Sequence, residues 1–290
     1  MSMRAAVLGG RTGLLGVPLT KALQDGDCEA TPLGRADFDI FDRDAMAGFL
    51  DREQPEWLFN TVAYTAVDKA EDEPAEAARL NKCLPLMLGR LCAERGIGLF
   101  HYSTDFVFDG EKTTPYSETD PVSPQCVYGR TKLDGEKALL ALGLQKCIIA
   151  RVAWLFGPGK KNFVATILNL AKERDTLNVV HDQIGSPSYT PDLAAYSVAL
   201  MRSGATGLFH LVNGGRASWC ELAGEAVAIA GLNCQIRPIT SDEYPLKAKR
   251  PAYSVLDTAK FTKATGITPR PWAMALSDYV YADLKIGEDD

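Results

Sequence analysis

Tyr128-Gly129-Arg130-Thr131-Lys132 sets a phenol and an ammonium four residues apart, which on a helix places both on one face, one turn from each other. A free phenol titrates near ~10 and relays protons poorly at neutral pH, but a neighbouring cation favours the phenolate and lowers that value. The spacing therefore predicts Tyr128 as a proton donor or acceptor with Lys132 as its electrostatic partner. A hydroxyl lies upstream, where the apolar run 98–104 ends in Ser103-Thr104-Asp105. Of the two hydroxyls, Thr104 is the better candidate to hold a carbonyl oxygen while a nicotinamide delivers hydride to its carbon. A second Tyr-x-x-x-Lys, Tyr281 to Lys285, follows no suitable strand or hydroxyl and reads as a helix surface.

Hydride chemistry requires a dinucleotide, and Gly9-Gly10-Arg11-Thr12-Gly13-Leu14-Leu15-Gly16 stands between a strand-like run and a helix-like one. Glycines there let backbone approach a pyrophosphate, and the helix start offers unpaired N–H groups and the positive end of its dipole. Gly10, Thr12, Gly13, Leu14, Leu15 and Gly16 are the expected contacts. After the second run, where a carboxylate would bind the ribose hydroxyls of NAD, stand Gly34 and Arg35. Arginine can grip a 2′-phosphate, so NADPH is the expected cofactor, with NADH tolerated. Asp39 and Ile40 are placed to flank the adenine, although Asp37 and Phe38 offer the same chemistry two residues earlier.

The elements that must position these groups are strands at 3–8, 28–33, 57–62, 98–104 and 147–153, with helical patterns after Gly13, Asp42, Pro74 and Gln125. Short apolar runs alternating with amphipathic segments predict an α/β fold, a Rossmann-like doubly wound parallel sheet. Beyond Trp154 the rhythm changes: helices are expected at 162–174, 191–201, 218–230 and 272–285, and strands at 176–180 and 207–212. Residues 1–154 thus read as a dinucleotide-binding domain and 155–290 as a smaller, mainly substrate-binding C-terminal region, with segments near 176–181 and 207–230 able to return to the first sheet.

The composition excludes other classes. A chain of 290 residues, 46% hydrophobic and 23% charged, is an ordinary globular protein, and a net charge of −6 lacks the basic footprint of a nucleic-acid binder. No stretch is long and apolar enough for a signal peptide or a membrane span. The seven cysteines are scattered and never form Cys-x-x-Cys, so neither a disulfide framework nor a metal site is expected and a cytoplasmic location fits.

Five segments carry a family resemblance: Ala63-Tyr64-Thr65-Ala66-Val67-Asp68-Lys69-Ala70-Glu71, Tyr102-Ser103-Thr104-Asp105-Phe106-Val107-Phe108, Tyr128 to Lys132, Asp182-Gln183-Ile184-Gly185-Ser186-Pro187, and Arg250-Pro251. With them nearly the whole chain resembles the extended short-chain dehydrogenase/reductase superfamily, and more closely its dTDP-4-dehydrorhamnose reductase branch. The resemblance implies that Thr104, Tyr128 and Lys132 are catalytic and that Ala63, Tyr64 and Thr65 line the cofactor. It further implies that Thr104, Asp105 and Trp154 touch a deoxysugar and that Arg250 grips the nucleotide diphosphate. The implied reaction is reduction of the C4 ketone of dTDP-4-dehydro-L-rhamnose to dTDP-L-rhamnose. Asn81 is expected either to steady the fourth strand, as in the superfamily, or to face solvent. The chain departs from the family at Phe106, commonly Tyr, at Val152-Ala153, commonly Thr-Ser, and at Leu14, frequently Gln. Some members join subunits through magnesium and acidic side chains; no such cluster is matched, so no metal is expected, while a homodimer stays compatible. The partner implied is a nucleotide sugar, not nucleic acid or a membrane. The alternatives are reduction of another nucleotide 4-keto-6-deoxysugar, or a non-catalytic NADP-binding regulatory subunit similar to the β subunit of methionine adenosyltransferase.

Overall fold

The computed structural model describes residues 2–284. Its first half alternates strand and helix: β1 (Met3–Leu8), α1 (Gly16–Asp25), β2 (Cys28–Leu33), α2 (Arg43–Glu53), β3 (Trp57–Asn60), the short α3 (Val67–Ala70) and α4 (Pro74–Ala78), α5 (Leu84–Arg95), β4 (Gly98–Thr104), α6 (Val127–Ala141) and β5 (Cys147–Val152). The second half holds β6 (Leu155–Phe156), α7 (Phe163–Ala171), β7 (Thr176–Val180), β8 (Ile184–Gly185), β9 (Ser188–Tyr189), α8 (Thr190–Arg202), β10 (Gly207–His210), β11 (Ala217–Ser218), α9 (Trp219–Ile229), β12 (Gln235–Ile239), α10 (Ala259–Thr265) and α11 (Trp272–Asp278).

Six strands form one sheet in the order β10-β5-β4-β3-β1-β2, every pair parallel. Parallel strands are buried on both faces, which is why β4 and β5 carry no exposed residue, with His101, Ser103, Thr104 and Arg151 buried beside Leu99, Phe100, Ile148 and Ile149. Leu19 and Leu23 of α1 and Leu193 and Leu200 of α8 pack with Phe100 and Tyr102 on one face. Met46 of α2, Leu88 of α5 and Leu139 of α6 pack with Leu99 and Ile149 on the other. Chain order reverses between β1 and β3, and the crevice beyond their carboxyl ends is where such sheets take ligands.

The strand at 207–210 pairs with β5 in the main sheet, whereas β7 pairs with β12 in a separate two-stranded ladder and α9 packs on α7 in a second core with Phe156, Leu177 and Tyr279. The expected return of 176–181 to the main sheet is corrected accordingly, since the whole of β7 is registered against Gln235–Ile239. The terminal helix is also shorter than expected. It runs Trp272–Asp278, then widens into a π-turn at Tyr279–Asp283 that sends Tyr279 into the second core; Lys285 lies outside the described residues. Among the described residues no helix is long and apolar enough to cross a membrane.

Candidate functional site

The glycine loop closes on itself. Gly9 has φ +91, a backbone conformation that L side chains rarely adopt, and its carbonyl accepts from Gly13 N at 2.8 Å. A Cβ at Gly16 would collide with that same carbonyl. Helix α1 begins there with no side-chain cap; Val17 N already donates to Gly13 O at 3.1 Å and Pro18 has no N–H, so what the helix start can offer a ligand is Gly16 N and the loop N–H groups before it. Thr12 is exposed and Leu14 half-buried at the loop mouth, but the Leu15 side chain lies in the core beneath α1 and can offer a ligand only its backbone.

Beside the loop, the Arg11 guanidinium grips Asp37 with two bonds of 2.7 and 2.6 Å, and Asp37 also accepts from Gly34 N at 2.8 Å. Arg11 and that N–H hold the Asp37 carboxyl below its usual range. Arg35 is exposed in the same turn. Asp39 caps its own turn by accepting from Phe41 N at 3.0 Å, while Ile40 packs toward the α2 core rather than outward. The cation held over the end of β2 is therefore Arg11, which the sequence reading counted only as a loop residue.

Ala63, Tyr64 and Thr65 follow β3 across the crevice from the glycine loop. Asn81, fully buried, accepts from Tyr64 N at 2.9 Å and donates to Tyr64 O at 3.2 Å and to Thr131 Oγ1 at 3.0 Å. It thus pins the Tyr64 loop to α6 and neither steadies β4 nor faces solvent. The Tyr64 hydroxyl donates to Glu73 at 2.7 Å.

Thr104 ends β4, and its hydroxyl donates to Asp105 Oδ1 at 3.1 Å while accepting from Phe106 N at 3.2 Å. The Tyr128 side chain, from the first turn of α6, lies beside the Thr104 hydroxyl. The Phe106 ring meets Tyr128 edge-on at 5.5 Å. Asp105 is 2% exposed and also accepts from Ser254 Oγ at 2.6 Å, so it lies behind Thr104 rather than in open contact with a sugar. Burial pushes the Tyr128 phenol above its ordinary value, and the neighbouring Thr104 hydroxyl offsets this only in part. This corrects the expectation that Lys132 lowers it. The lysine, 2% exposed, turns its ammonium to the Tyr102 carbonyl at 2.5 Å, and burial brings it down to about 8, opposed by Glu136. The phenol is therefore protonated at neutral pH, the form from which a donor to a developing alkoxide must start.

Under α6 the sheet carries an unusual polar row. Asn60 bonds His101 Nδ1 at 3.1 Å, and burial together with Lys132 keeps His101 neutral. Arg151 and Glu136 form a two-bond pair at 3.0 and 2.7 Å with side chains 3% and 2% exposed. His101 Nε2, Ser103 Oγ and Arg151 Nη1 have no protein partner.

Trp154 ends the β5 segment with φ +47, a strained value for a large side chain. Its ring stacks on Trp219 at 3.5 Å and 2° and abuts Gly185. Trp219, absent from the expected site, is fixed in turn by Gln183 Oε1 at 3.2 Å. Arg250 is tied to Asp68 by bonds of 3.1 and 2.6 Å, so its charge is already matched and a diphosphate would have to share it. Among the described residues no group of three or more His, Cys, Asp or Glu side chains is placed to hold a metal ion.

The family model described as the RmlD substrate binding domain matches residues 3–284. The chain is 39% identical over 289 residues to a dTDP-4-dehydrorhamnose reductase of Aggregatibacter actinomycetemcomitans, covering 95% of this chain and 98% of that protein. Among solved structures it is similar to a dTDP-4-dehydrorhamnose reductase of Clostridium acetobutylicum, with TM-score 0.91, 38% identity and 96% and 98% of the two chains covered. It also matches the Bacillus anthracis enzyme in complex with NADP, with TM-score 0.92, 29% identity and coverage of 96% and 99%.

Proposed function

The chain belongs to the RmlD family of dTDP-4-dehydrorhamnose reductases, and from that premise we propose that it reduces the C4 ketone of dTDP-4-dehydro-L-rhamnose to dTDP-L-rhamnose with NADPH, in the cytoplasm. The observation that carries the reading is the Tyr128 phenol, kept protonated by burial and set beside Thr104 at the carboxyl end of β4, on the same sheet edge as the glycine loop.

The loop fits a dinucleotide, because the Gly9–Gly16 contact leaves no room for side chains where α1 begins and the uncapped helix start suits a pyrophosphate. Backbone from Gly10 to Gly16 would hold the pyrophosphate, Arg11, sharing its charge with Asp37, would meet the 2′-phosphate beside the exposed Arg35, and Ala63, Tyr64 and Thr65 would form the far wall. When bound, NADPH supplies the hydride to C4. Thr104 orients the carbonyl oxygen and Tyr128 gives its proton to the alkoxide as charge develops there. Lys132 would anchor ribose hydroxyls by turning its ammonium from the Tyr102 carbonyl. Trp154, held by Trp219, forms a flat wall for the deoxysugar ring. Arg250, at the mouth, meets the diphosphate.

Absorbance of NADPH, followed with dTDP-4-dehydro-L-rhamnose generated in place, tests the reading. Wild type should turn over, and Tyr128→Phe should lose at least about a hundredfold in kcat while still binding NADPH. Tight NADPH binding without oxidation by any nucleotide ketosugar would overturn it.

A further inference from the structure

We propose that Asp105 is a positioning residue which sets the direction of the Thr104 hydroxyl proton, and that its neutral carboxyl form is the one that frees this proton for the substrate carbonyl; the inference rests on the ketoreductase reading above.

The argument is an account of protons. A hydroxyl has one proton to donate and an ionised carboxylate has none. Thr104 spends its proton on Asp105 Oδ1 and receives Phe106 N–H. Ser254 spends its proton on Asp105 Oδ2. While Asp105 is charged, the Thr104 proton is drawn inward, away from the place where a ketone oxygen must be polarised. A proton added to Asp105 reverses the bond. The carboxyl O–H then donates to Thr104, and the Thr104 proton is released toward the site mouth. The proton that leaves with the product alcohol comes from Tyr128, so Asp105 finishes each turnover unchanged.

The surroundings make the neutral form accessible. Asp105 is sealed between the end of β4, the first turn of α6 and the segment carrying Ser254. The groups acting on it are hydrogen-bond donors, Ser254, Thr104 and the backbone N–H groups of Asp105 and Phe106, with the Tyr128 phenol facing it from α6. From the strands, His101 and Arg151 lie deeper, beside Lys132 and Glu136 respectively. Burial outweighs the donors and raises Asp105 to about 6.

Because the carboxyl is raised, the competent form is complete at acid pH and is lost as pH rises through its titration. The test measures kcat at saturating NADPH and ketosugar from about pH 4.5 to about pH 7, below the Lys132 titration, together with the infrared carboxylic-acid C=O band of the ligand-free protein. Wild type should fall about tenfold per pH unit above the titration. Asp105→Asn, whose amide is a permanent donor to Thr104, should flatten the profile and remove the band. Ser254→Ala, which deletes a donor to the carboxylate, should move both the fall and the band to higher pH. A fall that persists in Asp105→Asn, a fall unmoved in Ser254→Ala, or a band missing from wild type at acid pH overturns the proposal. If Asp105→Asn does not fold, the Ser254→Ala displacement decides. A wild type that binds NADPH but reduces no ketone defeats the functional reading instead, whereas an active reductase whose profile ignores both substitutions defeats only this one.

Discussion

Replacing Lys132 with Met should make the protein more stable and destroy its activity. The ammonium is 2% exposed and its pKa falls from 10.5 to about 8, with burial the first cause. At about 1.4 kcal/mol per pH unit, holding that charge costs the folded state about 3 kcal/mol at neutral pH. The bond to the Tyr102 carbonyl returns about 1 kcal/mol, leaving about 2 kcal/mol for a well-fitting apolar chain to recover. Glu136 keeps its charge partner, Arg151, in the variant. Below about 8 the lysine is protonated in both folded and unfolded chains and the penalty is whole. Between about 8 and 10.5 the folded chain has released a proton that the unfolded chain still holds, so wild-type stability should climb with pH relative to the variant. Urea denaturation followed by circular dichroism, at neutral pH and again near ~10, reads both effects. A Met variant weaker than wild type at neutral pH, or a difference between the two that does not shrink as pH rises, would refute the desolvation argument.

Arg11→Ala should weaken NADPH at least about tenfold and leave NADH nearly unchanged in a fluorescence titration, since a charge-assisted bond contributes roughly 1.5–3 kcal/mol; equal losses for both cofactors would place the 2′-phosphate elsewhere. Gly16→Ala drives a methyl onto the Gly9 carbonyl, so cofactor binding should drop beyond about tenfold in the same titration while the far-ultraviolet dichroism is retained. Glu136→Leu alone should destabilise by about 3–5 kcal/mol in urea because it leaves Arg151 buried without its carboxylate, and adding Arg151→Met should restore most of that loss.

The parts legible in the sequence were those set by local pattern. Strands buried on both faces announce themselves as apolar runs, and the Tyr128–Lys132 spacing needs only one turn of helix. β12 was missed because Gln-Ile-Arg-Pro-Ile is largely exposed, contains a proline and becomes a strand only by pairing with β7. The terminal helix was drawn too long because its apolar pattern continues past Asp278, while the backbone widens to bury Tyr279. In the site, helix spacing fixed where the Lys132 stem begins but not where its ammonium ends, and that ending at Tyr102 O overturned the expected effect on Tyr128. Arg11 with Asp37, Asp105 with Ser254 and Trp154 with Trp219 are pairs 26, 149 and 65 residues apart in the chain. No local rule joins them. The glycine spacing marks where a dinucleotide is expected, but which nearby cation leans over the loop depends on a carboxylate that only folding brings into reach.

The main sheet is completed out of order, because β10 closes the exposed side of β5 only after more than fifty intervening residues. On the ribosome, a nascent chain that has emerged only through β5 therefore presents an open row of backbone donors and acceptors beside an apolar strand, the condition under which neighbouring polypeptides aggregate. Ser254 and Arg250 emerge later still. A message truncated between these points would encode a product with its nucleotide cradle formed and its proton machinery unfinished, so a stop codon falling between β10 and Arg250 should be as damaging to function as one near the start.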